Sequence, residues 1–373
     1  MTEVDKINAI PFVFIVGRGR SGTSLLQTML DCHPQLVSAN ESTFILVLKK
    51  KYDRVKVWTQ QLVEEFLDDL YADPKFVHFW NIPRKTLSDY IARFPFEQLS
   101  YIFLCRLVYF NFPSLHKKHD VKWLVDKNPI YSLFMEDILQ IFPKAKFIHI
   151  IRDYRDNIVS RRKSFGQNDL ALLANDWMGF HKAIDAFETK YPHLVHNLKY
   201  EDLARDPEKN LRSICDFLGV PFEAAMLRFH EATNKSFKEN KDKISKDVND
   251  QIHSNLLNPV NTTAVAKWKK ELKASEIEMI DSIAGKYARS KGYEPGPIIK
   301  NNSYRWTLLK KRIQFWLTFG VTRMYYINMP YVLRHWLTAT SAMLHRVFGY
   351  TNRYNRLKYK LQGAEEQNEN GKA

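Results

Sequence analysis

The chain has 373 residues, 45% apolar and 26% charged, with 24 Phe, 18 Tyr and 8 Trp, which is enough for one large core or two modest ones and excludes disorder of the whole chain. Its 56 Lys and Arg against 41 Asp and Glu give a formal charge of +15, so it attracts anions: nucleotides, anionic substrates, nucleic acid or an acidic membrane. Cys32, Cys105 and Cys215 stand far apart and outside any Cys-x-x-Cys or Cys/His pattern, which argues against a disulfide framework or a zinc site and makes a cytoplasmic location the expectation.

The first apolar run, Ile10 to Val16, is too brief for a secretory signal and reads as a buried parallel strand. It ends in Gly17-Arg-Gly-Arg-Ser-Gly22, after which Leu25, Leu26, Met29 and Leu30 mark an amphipathic helix closed by Pro34. Trp123 to Lys127, Lys146 to Ile151 and His193 to Tyr200 read as further strands. Apolar residues from Leu170 to Phe187, spaced by three and four, predict a long helix from about Asn168. Asp206-Pro207 opens another helix that Gly219 ends, and Ser275 with Glu278 forms a capping box for a third. Strands alternating with helices predict an α/β, three-layer fold with a central parallel sheet flanked by helices. Residues 235 to 250, rich in Lys, Asp, Asn and Ser, are expected to form a lid or loop. No run approaches the ~20 apolar residues of a spanning helix.

Two constellations carry chemistry. The loop after the first strand has the spacing of a Walker A motif, Gly17-x-x-x-x-Gly22, but Thr23 stands where that motif needs Lys. Amides of such a loop and of the next helix can bind phosphate oxygens, Thr23 and Ser24 add hydroxyls, and Arg18 or Arg20 can supply the missing cation. An ordinary βα turn, with glycines serving geometry, is the alternative. The second is Arg152-Asp-Tyr-Arg155-Asp156 with Ser160, opening a helix after a strand. Arg152 and Ser160 can converge on a second phosphate, or the charges can simply pair along a solvated helix. Two anion sites at strand C-termini match the edge at which open α/β sheets bind ligands.

Together the residues resemble the sulfotransferase superfamily, more closely its tyrosylprotein, carbohydrate and bacterial branches than the cytosolic small-molecule branch. The match rests on Gly19-Arg20-Ser21-Gly22-Thr23-Ser24 with Asp31-Cys32-His33-Pro34, on Arg152-Asp-Tyr-Arg-Asp with Ser160, and on Lys199-Tyr200-Glu-Asp-Leu203 followed by Asp206-Pro207. The resemblance implies a P-loop-like fold and a donor, 3′-phosphoadenosine 5′-phosphosulfate (PAPS), whose phosphosulfate lies in the loop from Arg18 to Ser24. It implies that the 3′-phosphate meets Arg152 and Ser160 and that Tyr200 packs near the adenine; a plain tyrosine at the edge of the core is the competing reading of Tyr200. Glu41 matches the carboxylate that acts as general base, and Lys127 the lysine that neutralises the leaving group. Taken without the family, these are a loop carboxylate and a surface lysine. Asn128-Pro129 replaces the histidine of the cytosolic branch, and His33, the other base considered, reads as a structural cap. The late glycine-rich phosphate loop is replaced by Asn261 to Trp268, from which Lys267 could reach the 3′-phosphate, with Ser254 as a further donor. No metal is expected, because a sulfuryl group carries less charge than a phosphoryl group and cationic clamps suffice, by analogy with phosphoryl transfer.

The expected catalytic domain spans residues 1–300. Within it, the aromatic insert at 76–115 either walls a pocket for a small-molecule or lipid-like acceptor, such as a sterol, or forms a helical cap with an ordinary core. Carbohydrate or tyrosyl acceptors are the alternative. A basic amphipathic helical extension follows at 301–352; it either lies on an anionic membrane surface, making the protein peripheral at the inner face, or packs on the catalytic domain. A disordered tail is expected at 353–373. The sequence leaves a homodimer open. A P-loop kinase or NTPase is disfavoured by Thr23, and no module for specific nucleic-acid recognition is present, so any such binding would be charge alone.

Overall fold

The computed structural model describes residues 2–239, 254–296 and 302–329. Five strands, β1 (Phe12–Val16), β2 (Leu36–Ala39), β3 (Trp123–Lys127), β4 (Lys146–Ile151) and β5 (Val195–Lys199), pair in parallel in the order β2-β3-β1-β4-β5. Because side chains alternate along a strand, β1 feeds two cores. Phe12, Phe14 and Val16 join Leu124 and Phe147 on one face, and Val13 and Ile15 join Val125, Ile148 and Ile150 on the other. Burial on both faces explains the unbroken apolar run and gives the expected three layers.

Eight helices matter below: α1 (Thr23–Asp31), α2 (Tyr101–Phe110), α3 (Tyr154–Phe165), α4 (Leu170–Lys190), α5 (Tyr200–Arg205), α6 (Pro207–Leu218), α7 (Ala274–Ser290) and α8 (Asn302–Arg323). Asp169 caps α4 by accepting from the Leu172 amide, and Asp206 caps α6 by accepting from that of Lys209. The cap of α7 differs from the expected Ser275 and Glu278. Glu276 reaches back to the Lys273 amide at 2.8 Å, so the helix starts two residues earlier.

Strand β2 is absent from the sequence prediction, because Leu-Val-Ser-Ala is too short to show a period. Pairing with β3 makes it a strand, with Ala39 opposite Asp126. Of the two readings of the aromatic insert, the helical cap holds for six of its rings. Phe76, Trp80, Phe103 and Tyr109 are completely buried and Phe94 and Tyr101 nearly so, all in the core that contains Phe12 and Phe14. Trp80 and Tyr109 meet edge to face with centroids 4.9 Å apart. These rings form the core of a helical cap and are not available to wall an open pocket.

Helix α8 packs against α4, and Arg323 pairs with Asp137 at 3.1 Å. Beyond it, the Tyr326 ring meets Phe134. Of the expected lid only the end of the Phe229–Glu239 helix is described. The rest of it, Tyr331, Arg334, Trp336 and Arg346, and the 353–373 tail lie outside the described residues.

Candidate active site

The sheet order reverses around β1: the chain crosses to β2 and β3 on one side and then to β4 and β5 on the other. Loops leaving β1, β3 and β4 therefore meet at one carboxyl edge, the general ligand position of such sheets. The loop after β1 is held from two sides. The Gly17 amide donates to Ser132 Oγ at 2.9 Å. Asn157 Nδ2 donates at 3.0 Å to both Gly19 O and Ser21 Oγ. Two glycines are obligatory here. At Gly17 (φ +140°) a Cβ would collide with the Ile150 carbonyl oxygen; at Gly22 (φ +95°) it would come within 2.5 Å of Tyr200 Cδ2. Gly22 occupies the cap position of α1, where no side chain caps the helix; Thr23 at its first position is buried and Ser24 half-buried.

The two arginines considered as the loop cation part company. Arg18 lies over the Phe180 ring and donates to Asp176 Oδ2 at 2.5 Å, an oxygen that Arg161 also binds at 2.6 Å. It is thereby committed to α4. Arg20 adopts a left-handed backbone (φ 76°), and its Nε donates to Ser160 Oγ at 3.1 Å. A left-handed arginine stores strain of order 1–3 kcal/mol, which such loops retain where the conformation serves a ligand.

Ile151 pairs with Lys199 between β4 and β5, which brings the next residues, Arg152 and Tyr200, together. The Arg152 guanidinium sits 4.5 Å from the Tyr200 ring centroid. It donates to Arg20 O at 3.2 Å and to Ala264 O at 2.5 Å. Among the described residues its buried Nε has no partner. Arg20, Ser160, Arg152 and Tyr200, expected from sequence to share one ligand, are thus brought into contact. Asp156 pins the turn that follows Ala264 by accepting from the Ala266 and Trp268 amides at 2.7 and 2.9 Å. Lys267, between them, is exposed. The side chain of Ser254 lies outside the described residues.

Glu41 and Lys127 are also brought together. Glu41 follows β2 and Lys127 ends β3, and Lys127 Nζ stands 3.7 Å from Glu41 Oε2. The lysine is almost buried and the carboxylate about one-third exposed. Asn128 Nδ2 and Tyr131 OH both donate to Ser42 O, tying the two loops together. His33 is excluded as a base by its bonds: Nε2 lies 2.8 Å from Pro221 O, and Nδ1 accepts from the Gln35 amide.

Sequence reasoning missed the supports: Asn157, Ser132, Asp176 and Asp156. It also missed Asp126, whose neighbour Lys127 it selected. Asp126 is wholly buried, accepts from Tyr109 OH, and has its carboxyl pushed up to about 8 by burial. Asp156 and Asn157 lie within the Arg152–Ser160 segment, which could have flagged them.

A family model described as the sulfotransferase family matches residues 11–224, the span that carries the sheet, the loop and both candidate catalytic residues. The chain belongs to the sulfotransferase family and is a sulfotransferase enzyme. Among curated relatives it is similar to protein-tyrosine sulfotransferase 1 of Danio rerio, 26% identical over 295 residues covering 77% of this chain and 73% of the relative. Protein-tyrosine sulfotransferase 2 of Gallus gallus is 23% identical over 79% of this chain and 76% of its own. The fold is shared with the sulfotransferase domain of the Synechococcus PCC 7002 olefin synthase: TM-score 0.51, 22% identity, 77% of this chain and 96% of that one.

Proposed function

We propose that the enzyme transfers a sulfuryl group from PAPS to a hydroxyl, and that the acceptor is a tyrosyl phenol. The observation that carries the reaction is the Glu41–Lys127 pair, a carboxylate and a cation 3.7 Å apart at the carboxyl edge of the sheet. A general base must come within hydrogen-bond reach of the proton it takes, and a cation must face the oxygen on which charge develops. Glu41 fits the first role and Lys127 the second.

The residues present suit the donor. Arg152 Nε is a buried donor with no partner among the described residues, and Arg20 with Ser160 adds two more polar groups beside it. Arg152, Arg20, Ser160 and Tyr200 would hold the nucleotide's 3′-phosphate end, and the Gly19–Ser24 segment its phosphosulfate. The donor, when bound, supplies the activated sulfuryl group. Glu41 then takes the acceptor's proton on its carboxylate, and Lys127 compensates negative charge through its ammonium.

The tyrosyl acceptor is supported by the names of the relatives. The sterol or lipid alcohol expected from sequence loses much of its argument once six of the insert's rings are counted as core. The test is calorimetric titration with adenosine 3′,5′-bisphosphate, followed by transfer assays on a tyrosyl peptide, a sterol and an oligosaccharide. Tight bisphosphate binding that Arg152→Ala weakens, with transfer to the peptide, is expected. Preference for Mg-ATP would overturn the donor, and transfer only to the sterol or sugar would overturn the acceptor.

A further inference from the structure

We infer that the outward face of α8 docks on the surface of an anionic lipid bilayer without crossing it. One side of α8 is occupied by α4 and by the Arg323–Asp137 pair. The other side carries Leu309, Ile313, Leu317 and Val321, each between 46% and 66% exposed, and Met324, just past the end of the helix, continues it. Their spacings of three and four put them on one stripe, some 20 Å long at about 1.5 Å per residue. Meanwhile the polar Gln314 and Thr322 are half-buried. A helix on a globular domain usually turns its apolar stripe inward, so large apolar residues left exposed in a row need a reason. Scattered exposed apolar residues are ordinary, but a continuous stripe marks a contact surface.

Charge identifies the occupant. Between Glu294 and Glu365 the sequence contains no Asp or Glu, whereas twelve Lys and Arg occur there. An apolar face set in an acid-free basic segment complements anionic lipid headgroups above acyl chains. A second copy would oppose this face with the same acid-free segment, and so would the chain's own residues 330–364, and like charges disfavour both. No helix among the described residues is long and apolar enough to cross a membrane, so the helix lies in the interface.

The test is co-sedimentation of the full chain with vesicles of phosphatidylcholine alone or mixed with phosphatidylglycerol. Binding to the mixed vesicles should be at least ~10-fold tighter and should weaken with salt. The Leu317→Glu/Val321→Glu variant should lose that binding by a similar factor while keeping its bisphosphate affinity and Tm. Equal binding to both vesicle types, or none, would overturn the proposal. So would a variant that binds vesicles normally but changes from dimer to monomer, which would make a second copy the occupant, or one whose Tm falls while vesicle binding persists, which would assign the face to the chain's own residues.

Discussion

Glu41 and Lys127 stand 3.7 Å apart because Ala39 and Asp126 are paired across the β2–β3 edge of the sheet. Each residue lies just past a paired position, so strand register sets their distance. Replacing Glu41 by Gln keeps shape and removes the base. The expected result is a fall in kcat of about 10²- to 10⁴-fold with bisphosphate affinity nearly unchanged. Calorimetry beside steady-state kinetics would check it, and an equal loss in both would assign Glu41 to donor binding instead.

Arg152 bridges Arg20 O and Ala264 O while stacked on Tyr200. Lysine has neither the fork nor the flat face, so Arg152→Lys is not conservative here. A lost charge-assisted bond is worth roughly 1.5–3 kcal/mol, so the bisphosphate Kd should rise about 10- to 100-fold. Unchanged affinity would remove Arg152 from the donor site.

Gly22→Ala should weaken both donor binding and the fold, since its Cβ would come within 2.5 Å of Tyr200 at a positive φ. Strain of this kind costs of order 1–3 kcal/mol. A clear drop in Tm, together with weaker bisphosphate binding, is expected; Tyr200→Ala in the same chain should recover part of the Tm but not the binding.

Asp126 gives a pH signature. Burial holds its carboxyl up to about 8, above its ordinary 3.8, so the folded state binds a proton that the unfolded chain releases near pH 4. Its contribution to stability is therefore complete below that pH and is lost as pH rises through about 8. Asp126→Asn keeps an uncharged acceptor for Tyr109 and does not titrate. Thermal melts between pH 5 and 8 should show the variant gaining on the parent as pH rises; a constant difference would mean that Asp126 is ionised throughout.

Much of the chemistry was legible locally. The loop from Gly17 to Gly22, the Arg152–Ser160 segment and the Asp206 cap each depend on residues a few positions apart, where spacing alone reports geometry. Three of the five strands were visible as apolar runs ending in charge or glycine, and β5 within a slightly longer predicted run. Strand β2 was not, since four residues carry no period, and without β2 nothing in the sequence explains why Glu41 should approach Lys127.

What the sequence by itself determined was the set of local conformations and the residue types at the loop ends, because backbone preference and apolar periodicity act over a single element. The tertiary structure decided which distant side chains share a charge or a bond: Arg18 with Asp176, Arg20 with Ser160, Tyr109 with Asp126. It also decided that Phe76, Trp80, Phe94, Tyr101, Phe103 and Tyr109 of the insert are core. Such pairings follow from sheet order, register and burial, which no single segment encodes, and electrostatic and packing energies act across space whatever the separation along the chain.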